Sequence, residues 1–154
     1  HNFTKKHDLV TGGRERFHSV QNALSKLTGD IVAVHDAVRP LVTQAVIEAC
    51  FLAAAEKKAV VPVVPIKESI RKVDGQHSKS VLRSNYVTVQ TPQCFTAGVL
   101  KSSYQKSYEA AFTDDASVVE SNGHEIALVD GNEENIKITT PTDLKWAELL
   151  RNHE

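Results

Sequence analysis

The sequence has no methionine, a single tryptophan and only two cysteines among 154 residues. Cys50 and Cys94 form no CxxC pair, so they can build neither a disulfide framework nor a four-ligand zinc site. Two buried, reduced thiols in a cytosolic protein are the expectation. Neither sign of charge is in excess. Lys and Arg number 18 against 19 Asp and Glu, a formal net charge of −1, and this argues against the basic face of a nucleic-acid binder. No apolar run approaches the roughly 20 residues of a membrane span, and residues 1–8 do not read as a signal peptide. Signature loops are missing too. There is no GxSxG, GxGxxG or GxxxxGK[ST], and none of the seven histidines forms an HExxH pair, so hydrolase, dinucleotide, P-loop and zinc-protease readings have no anchor.

What is present is an alternation of short β-rich runs and amphipathic stretches, the pattern of a mainly parallel sheet covered by helices. Phe17, Val20, Leu24 and Leu27 recur at helical spacing behind the turn pair Gly12-Gly13. Ile31–34 is a continuous apolar run, too short for a helix and suited to a strand covered on both faces. A helix is expected from Thr43 to about Lys57, with Val46, Ile47, Cys50, Ala53 and Ala54 inward. Residues 60–64 read as a strand that Pro62 demotes toward an edge or bulge. Residues 66–83 are charged around Asp74-Gly75 and predict a projecting β-hairpin. A strand over 87–90 follows, then a helix capped by Thr96 and running to about Tyr108. A short helix begins at Thr113-Asp114-Asp115 and stops at Asn122-Gly123. A strand over 126–129, an alternating segment over 135–139 and a final helix introduced by Thr140-Pro141-Thr142-Asp143 complete the chain. The expected organisation is a single domain over 1–154 with one arm at about 66–83.

The polar residues that interrupt this pattern cluster at strand C-terminal ends, where open α/β sheets bind ligands. Asp36 with Arg39 can hold sugar hydroxyls, a metal or a phosphate, or the aspartate can simply close its own turn. Thr113 and Asp114 can serve a ligand or a helix cap. In the 135–139 segment, alternation puts Lys137 on the face of Asn135 and Thr139, which matters only if that face meets a cleft. The basic residues of the arm, Lys67, Arg71, Lys72, Lys79 and Arg83, fit protection of an exposed edge as readily as a function. His18 and His124 fit surface or packing roles. Residue by residue, the sequence reaches a soluble α/β protein that binds something small and anionic.

Taken in order, five blocks resemble the 2-C-methyl-D-erythritol 4-phosphate cytidylyltransferase family. They are Gly12-Gly13-Arg14-Glu15-Arg16-Phe17-His18-Ser19-Val20, His35-Asp36-Ala37-Val38-Arg39-Pro40, Gln90-Thr91-Pro92-Gln93, Thr113-Asp114-Asp115-Ala116-Ser117 and Asn135-Ile136-Lys137-Ile138-Thr139. The resemblance implies a Rossmann-like nucleotidyltransferase sheet with helices on both faces and a β-hairpin arm. It also implies a Mg²⁺-dependent transfer of a cytidylyl group from CTP, the co-substrate, to methylerythritol phosphate, in the cytoplasm.

By the same resemblance, Gly12, Gly13 and Ser19 would lie against the cytosine. Asp36 and Arg39 would contact the sugar phosphate, with Asp36 a possible metal ligand, and Thr113 would bind a substrate hydroxyl. Arg83 and Lys137 would position the attacking phosphate, beside Thr91. Members pair through the arm, so Ser69 and Arg83 would serve the partner of a homodimer. The family's glycine-rich loop (Ala-Ala-Gly-x-Gly-x-Arg) and Pro-Lys-Gln segment, which precede the first block, do not occur here. The chain therefore resembles the C-terminal two-thirds of the domain, and negligible activity is expected of it alone. Two other readings stay open: a ribitol 5-phosphate cytidylyltransferase, and a non-catalytic dimerisation or ligand-binding module.

Overall fold

A computed structural model describes residues 4–5 and 7–151; of the leading segment read above, residues 1–3 and 6 lie outside it. Thirteen regular segments are organised around one sheet. The helices are α1 (Arg16–Leu24), α2 (Gln44–Lys57), α3 (Ala97–Ser103), α4 (Asp115–Ser121) and α5 (Pro141–Arg151). The strands are β1 (Ile31–Val34), β2 (Ala59–Pro65), β3 (Arg71–Asp74), β4 (His77–Ser80), β5 (Val87–Val89), β6 (Gln93–Thr96) and β7 (Ala127–Asp130), and a 3₁₀ turn covers Arg83–Asn85.

Strand alternation feeds two separate cores. On one face Val32, Ala59 and Phe95 pack with Phe17 and Leu24 of α1, Leu100 of α3 and Tyr104 just after it, and Val118 and Val119 of α4. On the other, Val60 and Cys94 pack with Val46, Cys50 and Ala54 of α2. Successive residues thus point to opposite layers, and helices cover both faces as expected. Local signals hold where the chemistry is local. Thr43 caps α2 by accepting the Val46 N–H. Asp114 and Ser117 form a reciprocal capping box at α4, and Asp143 accepts from the Thr139 and Thr140 N–H groups ahead of α5.

The strand directions differ from the mainly parallel expectation. Only β7 runs parallel to its partner, β2. β6 is antiparallel to both β1 and β2, and β5 is antiparallel to β2. β5 and β6 share one edge of β2, with Val89 opposite Val63 and Cys94 opposite Val60. They behave as a single line of chain interrupted at Gln90-Thr91-Pro92, whose Thr91–Pro92 peptide is cis.

β2 is consequently central, not an edge, although it carries Pro62. A strand residue points its N–H and C=O to the same side, and the Pro62 carbonyl accepts the Gln90 N–H at 2.8 Å. The missing Pro62 N–H therefore faces the interruption between β5 and β6, where no ladder bond is required.

Two further expectations change. Residues 93–96 form β6, a strand the sequence pattern did not predict; Thr96 does stand at the N-cap of α3, but that helix ends at Ser103 and not near Tyr108. Residues 135–139 form no strand, because they bond to the turn after β1 instead of to a ladder neighbour: Arg39 Nη1 donates to Asn135 O at 2.7 Å and Ile138 N to Val38 O at 2.9 Å. The arm is a hairpin, β3 against β4 with Gly75 at φ 56° in its turn, and every residue of both strands is exposed.

Leu100 is fully buried in the first core, whereas Leu149 is 54% exposed. Leu100→Ala is expected to lower unfolding free energy by about 2–5 kcal/mol and Leu149→Ala by no more than about 0.5 kcal/mol, as read by urea denaturation.

Candidate functional site

The site begins where β1 ends. Its last residue, Val34, is followed by His35 and then a turn closed by Arg39 N donating to Asp36 O at 3.0 Å. Asp36 N donates to Thr91 Oγ1 at 3.0 Å, tying that turn to the β5–β6 interruption. The Asp36 carboxylate then meets two cations at one oxygen. Lys137 Nζ lies 3.2 Å and Arg39 Nε 3.4 Å from Oδ2. Burial pushes the Asp36 carboxyl up. Lys137, with Arg16 and Arg39, more than offsets this and holds it below the usual carboxylate range. The result is a carboxylate that stays ionised in a cationic cleft.

A second wall is built from polar groups drawn inside. Asp115 is fully buried at the start of α4; it accepts Arg16 Nη2 at 2.5 Å and the Tyr104 hydroxyl at 2.6 Å. Burial, then Asp115, pushes the Tyr104 hydroxyl well above its ordinary value, so it remains a donor. Gln93 is buried and reads both sides of the α4 start: its Nε2 donates to Asp114 Oδ2 at 2.8 Å and its Oε1 accepts Ala116 N at 2.9 Å. The floor is closed by Asn135, whose Nδ2 donates to Thr91 O at 2.9 Å, and by Gln90, whose Nε2 donates to Asn132 O at 2.9 Å. Each bond satisfies a group that would otherwise be buried unpaired.

Of the residues singled out in the sequence, Asp36, Arg39, Thr91, Thr113 and Lys137 line one cleft. Gly12, Gly13 and Ser19 sit at the head of α1 outside that lining, where Gly13 N donates to Ser19 Oγ at 2.9 Å. A side chain on Gly13 would place its Cβ 2.3 Å from His18 Cβ, so the glycine has a packing reason of its own. Ser69 and Arg83 lie on the arm and at its base, exposed, with the Arg83 guanidinium donating to Lys67 O. Lys67 in turn pairs with Glu133, so the arm root is fastened to the loop that leads to Asn135 and Lys137.

Sequence reasoning gave Arg16, Gln93 and Asp115 no role in the cleft and left Asp114 open between ligand and helix cap; Arg16, Gln93 and Asp114 line it and Asp115 holds Arg16. The one available signal was polarity at positions next to Pro92 and the α4 cap. The set as a whole offers anion-binding cations, hydroxyl-binding side chains and two carboxylates, Asp36 and Asp114.

Comparison with known proteins agrees with this chemistry. The family model described as 2-C-methyl-D-erythritol 4-phosphate cytidylyltransferase matches residues 2–152. The enzyme of that name from Phocaeicola vulgatus is 51% identical over 151 residues, covering 97% of this chain and 69% of that protein. Its counterpart from Bacteroides fragilis is 50% identical, with the same 97% and 69% coverage. Among solved structures, the Thermus thermophilus enzyme superposes with a TM-score of 0.83 at 35% identity, covering 92% of this chain and 71% of that one. The Francisella tularensis enzyme gives 0.82 at 32% identity, covering 96% and 74%.

Because Lys137 is the nearest cation to Asp36, Lys137→Met is expected to raise the Asp36 titration midpoint, read from its carboxyl carbon by NMR. A depressed folded midpoint stabilises above the unfolded value, near 3.8, and the benefit fades as pH falls through the folded midpoint. The stability advantage of the wild type over this variant is thus full above the variant's Asp36 midpoint and shrinks as pH falls from there through the wild-type midpoint.

Proposed function

The chain belongs to the 2-C-methyl-D-erythritol 4-phosphate cytidylyltransferase family, and from that premise we propose how its own residues carry the family's reaction. That reaction is transfer of a cytidylyl group from CTP to 2-C-methyl-D-erythritol 4-phosphate, with release of pyrophosphate. A phosphate oxygen of the sugar phosphate bonds to the α-phosphorus of CTP as the bond to the bridging oxygen breaks and pyrophosphate departs with the electron pair. The protein has little covalent work to do. Alignment and neutralisation of charge are what such a transfer demands.

The observation that carries this reading is the Asp36 carboxylate set between Arg39 and Lys137 in a cleft that also presents Thr91 and Thr113. Asp36 accepts hydroxyls of the sugar phosphate, Arg39 and Lys137 neutralise its phosphate, and Thr113 at the rim holds a hydroxyl. Thr91 stands at the wall beside the phosphate. Gly12, Gly13 and Ser19, at the head of α1, read the cytosine edge through backbone amides and a hydroxyl. The relatives named above carry methylerythritol phosphate in their descriptions, which favours it over ribitol 5-phosphate, and the matched family is enzymatic, which disfavours a binding module.

A divalent ion fits the donor set in one limited way. Mg²⁺ sites commonly use one or two protein carboxylates with substrate phosphates and water, and Asp36 offers one such carboxylate at the cleft. Among the described residues no group of three His, Cys, Asp or Glu side chains forms a cage. When bound, the ion would neutralise phosphate charge as pyrophosphate leaves.

The arm, about residues 66–83, makes the enzyme a homodimer. A lone two-stranded hairpin is marginally stable in water, and this one exposes Val73 at 69%, with Leu82 at the base of the arm exposed at 67%. Paired with a second copy, the arm would carry Ser69 and Arg83 to the partner's cleft, where the guanidinium clamps the attacking phosphate. No helix among the described residues is long and apolar enough to cross a membrane, and a cytoplasmic site suits the water-soluble substrates.

In a protein that carries the family's glycine-rich loop ahead of these residues, Arg83→Ala is expected to lower turnover of CTP and methylerythritol phosphate by about a hundredfold or more while sedimentation still reports a folded dimer. Mixing this variant with Lys137→Ala should restore part of the activity, since one heterodimer cleft regains both groups. Near-normal turnover of the single variant, or no recovery on mixing, counts against the shared site.

A further inference from the structure

His35 belongs to none of the roles assigned above, yet both of its ring nitrogens are engaged. Nδ1 lies 2.9 Å from Thr91 Oγ1 and Nε2 lies 3.0 Å from the carbonyl oxygen of Arg39. The identity of the donors follows from counting hydrogens. A carbonyl only accepts, so Nε2 must carry one; a bare Nε2 would set two lone pairs against each other. Thr91 Oγ1 already accepts the Asp36 N–H at 3.0 Å. A neutral ring protonated at Nε2 shows a lone pair at Nδ1, and the Thr91 hydroxyl hydrogen is the one group placed to meet it.

These bonds run in a chain: Asp36 N–H to Thr91 Oγ1, Thr91 O–H to His35 Nδ1, His35 Nε2–H to Arg39 O. They start and end within one four-residue turn. That turn carries the two residues, Asp36 and Arg39, that face the cleft, and its own closure is the single Arg39 N to Asp36 O bond. Thr91, by contrast, is buried and fixed by Asn135 through its carbonyl. The ring therefore fastens a turn at the cleft's mouth to a buried one.

We propose that His35 is a positioning residue: as the neutral Nε2–H tautomer it braces the Asp36–Arg39 turn against Thr91 and so sets the carboxylate and guanidinium at the spacing the anionic substrate needs. Its effect on substrate rests on the reading of this cleft as the sugar-phosphate site; the brace itself does not. One consequence is that the Thr91 hydroxyl donates to His35 and not to a substrate oxygen. Thr91 acts on the substrate through the turn it holds.

The first test needs neither a variant nor a ligand. Long-range ¹H–¹⁵N correlation on the labelled chain, in mildly alkaline solution, is expected to show Nδ1 bare and Nε2 protonated; a proton on Nδ1 overturns the proposal. The second reads the brace through Asp36. His35→Ala and Thr91→Val should each raise the Asp36 titration midpoint, as the carboxylate drifts from Lys137 and Arg39, and Thr91→Ser should keep it. An unchanged midpoint in His35→Ala overturns the proposal as well.

Calorimetry then separates the brace from the substrate assignment. Each of the two disruptive variants should weaken methylerythritol phosphate binding by about tenfold, the order of one lost hydrogen bond, and the double variant no further, because the two groups act in one chain. Additive losses overturn the brace. A wild type with the expected tautomer and midpoints that fails to bind the sugar phosphate overturns the substrate reading alone.

Discussion

Gln90, Thr91, Pro92 and Gln93 are all buried, and three of these four carry polar side chains that must find partners away from water. The cleft is the way that demand is met. Gln90 reaches the loop after β7, Thr91 reaches the turn after β1, and Gln93 reaches the start of α4. The surroundings of residues 36, 114 and 132 are brought to one place because this short turn carries buried donors and acceptors that those segments pair. An interruption between two strands thus organises the walls that a continuous strand would have left unconnected.

The electrostatics follow from the same arrangement. Asp36 keeps its charge because Lys137 and Arg39 stand at one of its oxygens, and Arg39 is itself held from elsewhere, by the Asn135 carbonyl. The Arg16–Asp115 pair is of another kind. A fully buried carboxylate gains little net stability from its partner once desolvation is counted, so the pair is better understood as orientation: Tyr104 and Asp115 hold a planar cation at the edge of the cleft.

What the sequence made legible divides along the range of the interactions concerned. β1, α2 with its Thr43 cap, the hairpin at Asp74-Gly75, the Asp114 cap and the start of α5 could all be read from neighbouring residues, because their causes lie within a few positions. The antiparallel course of β6 could not. Four residues behind a proline carry no local mark of which edge they will join. The alternation at 135–139 misled for a related reason: the partners of that segment are Val38 and Arg39, almost a hundred residues earlier, and not a strand. Asp36, Arg39, Thr91, Thr113 and Lys137 were found by their resemblance to a family pattern. Gln93 and Asp115 were not, since a buried polar residue is recognised only by its distant partner, and Arg16 lies 99 residues from Asp115.

β6 is also the common wall of both cores, with Cys94 turned to one and Phe95 to the other. A one-residue slip of this strand would turn the Phe95 ring toward the core that Cys94 fills and turn the thiol toward the core that holds the ring. The same slip would withdraw Gln93 from Asp114 and Thr91 from Asp36. Misregistered chains are therefore penalised twice, in packing and in polar pairing, and the groups that prepare the cleft also proofread the fold: a molecule whose sheet is wrongly threaded cannot present the site at all.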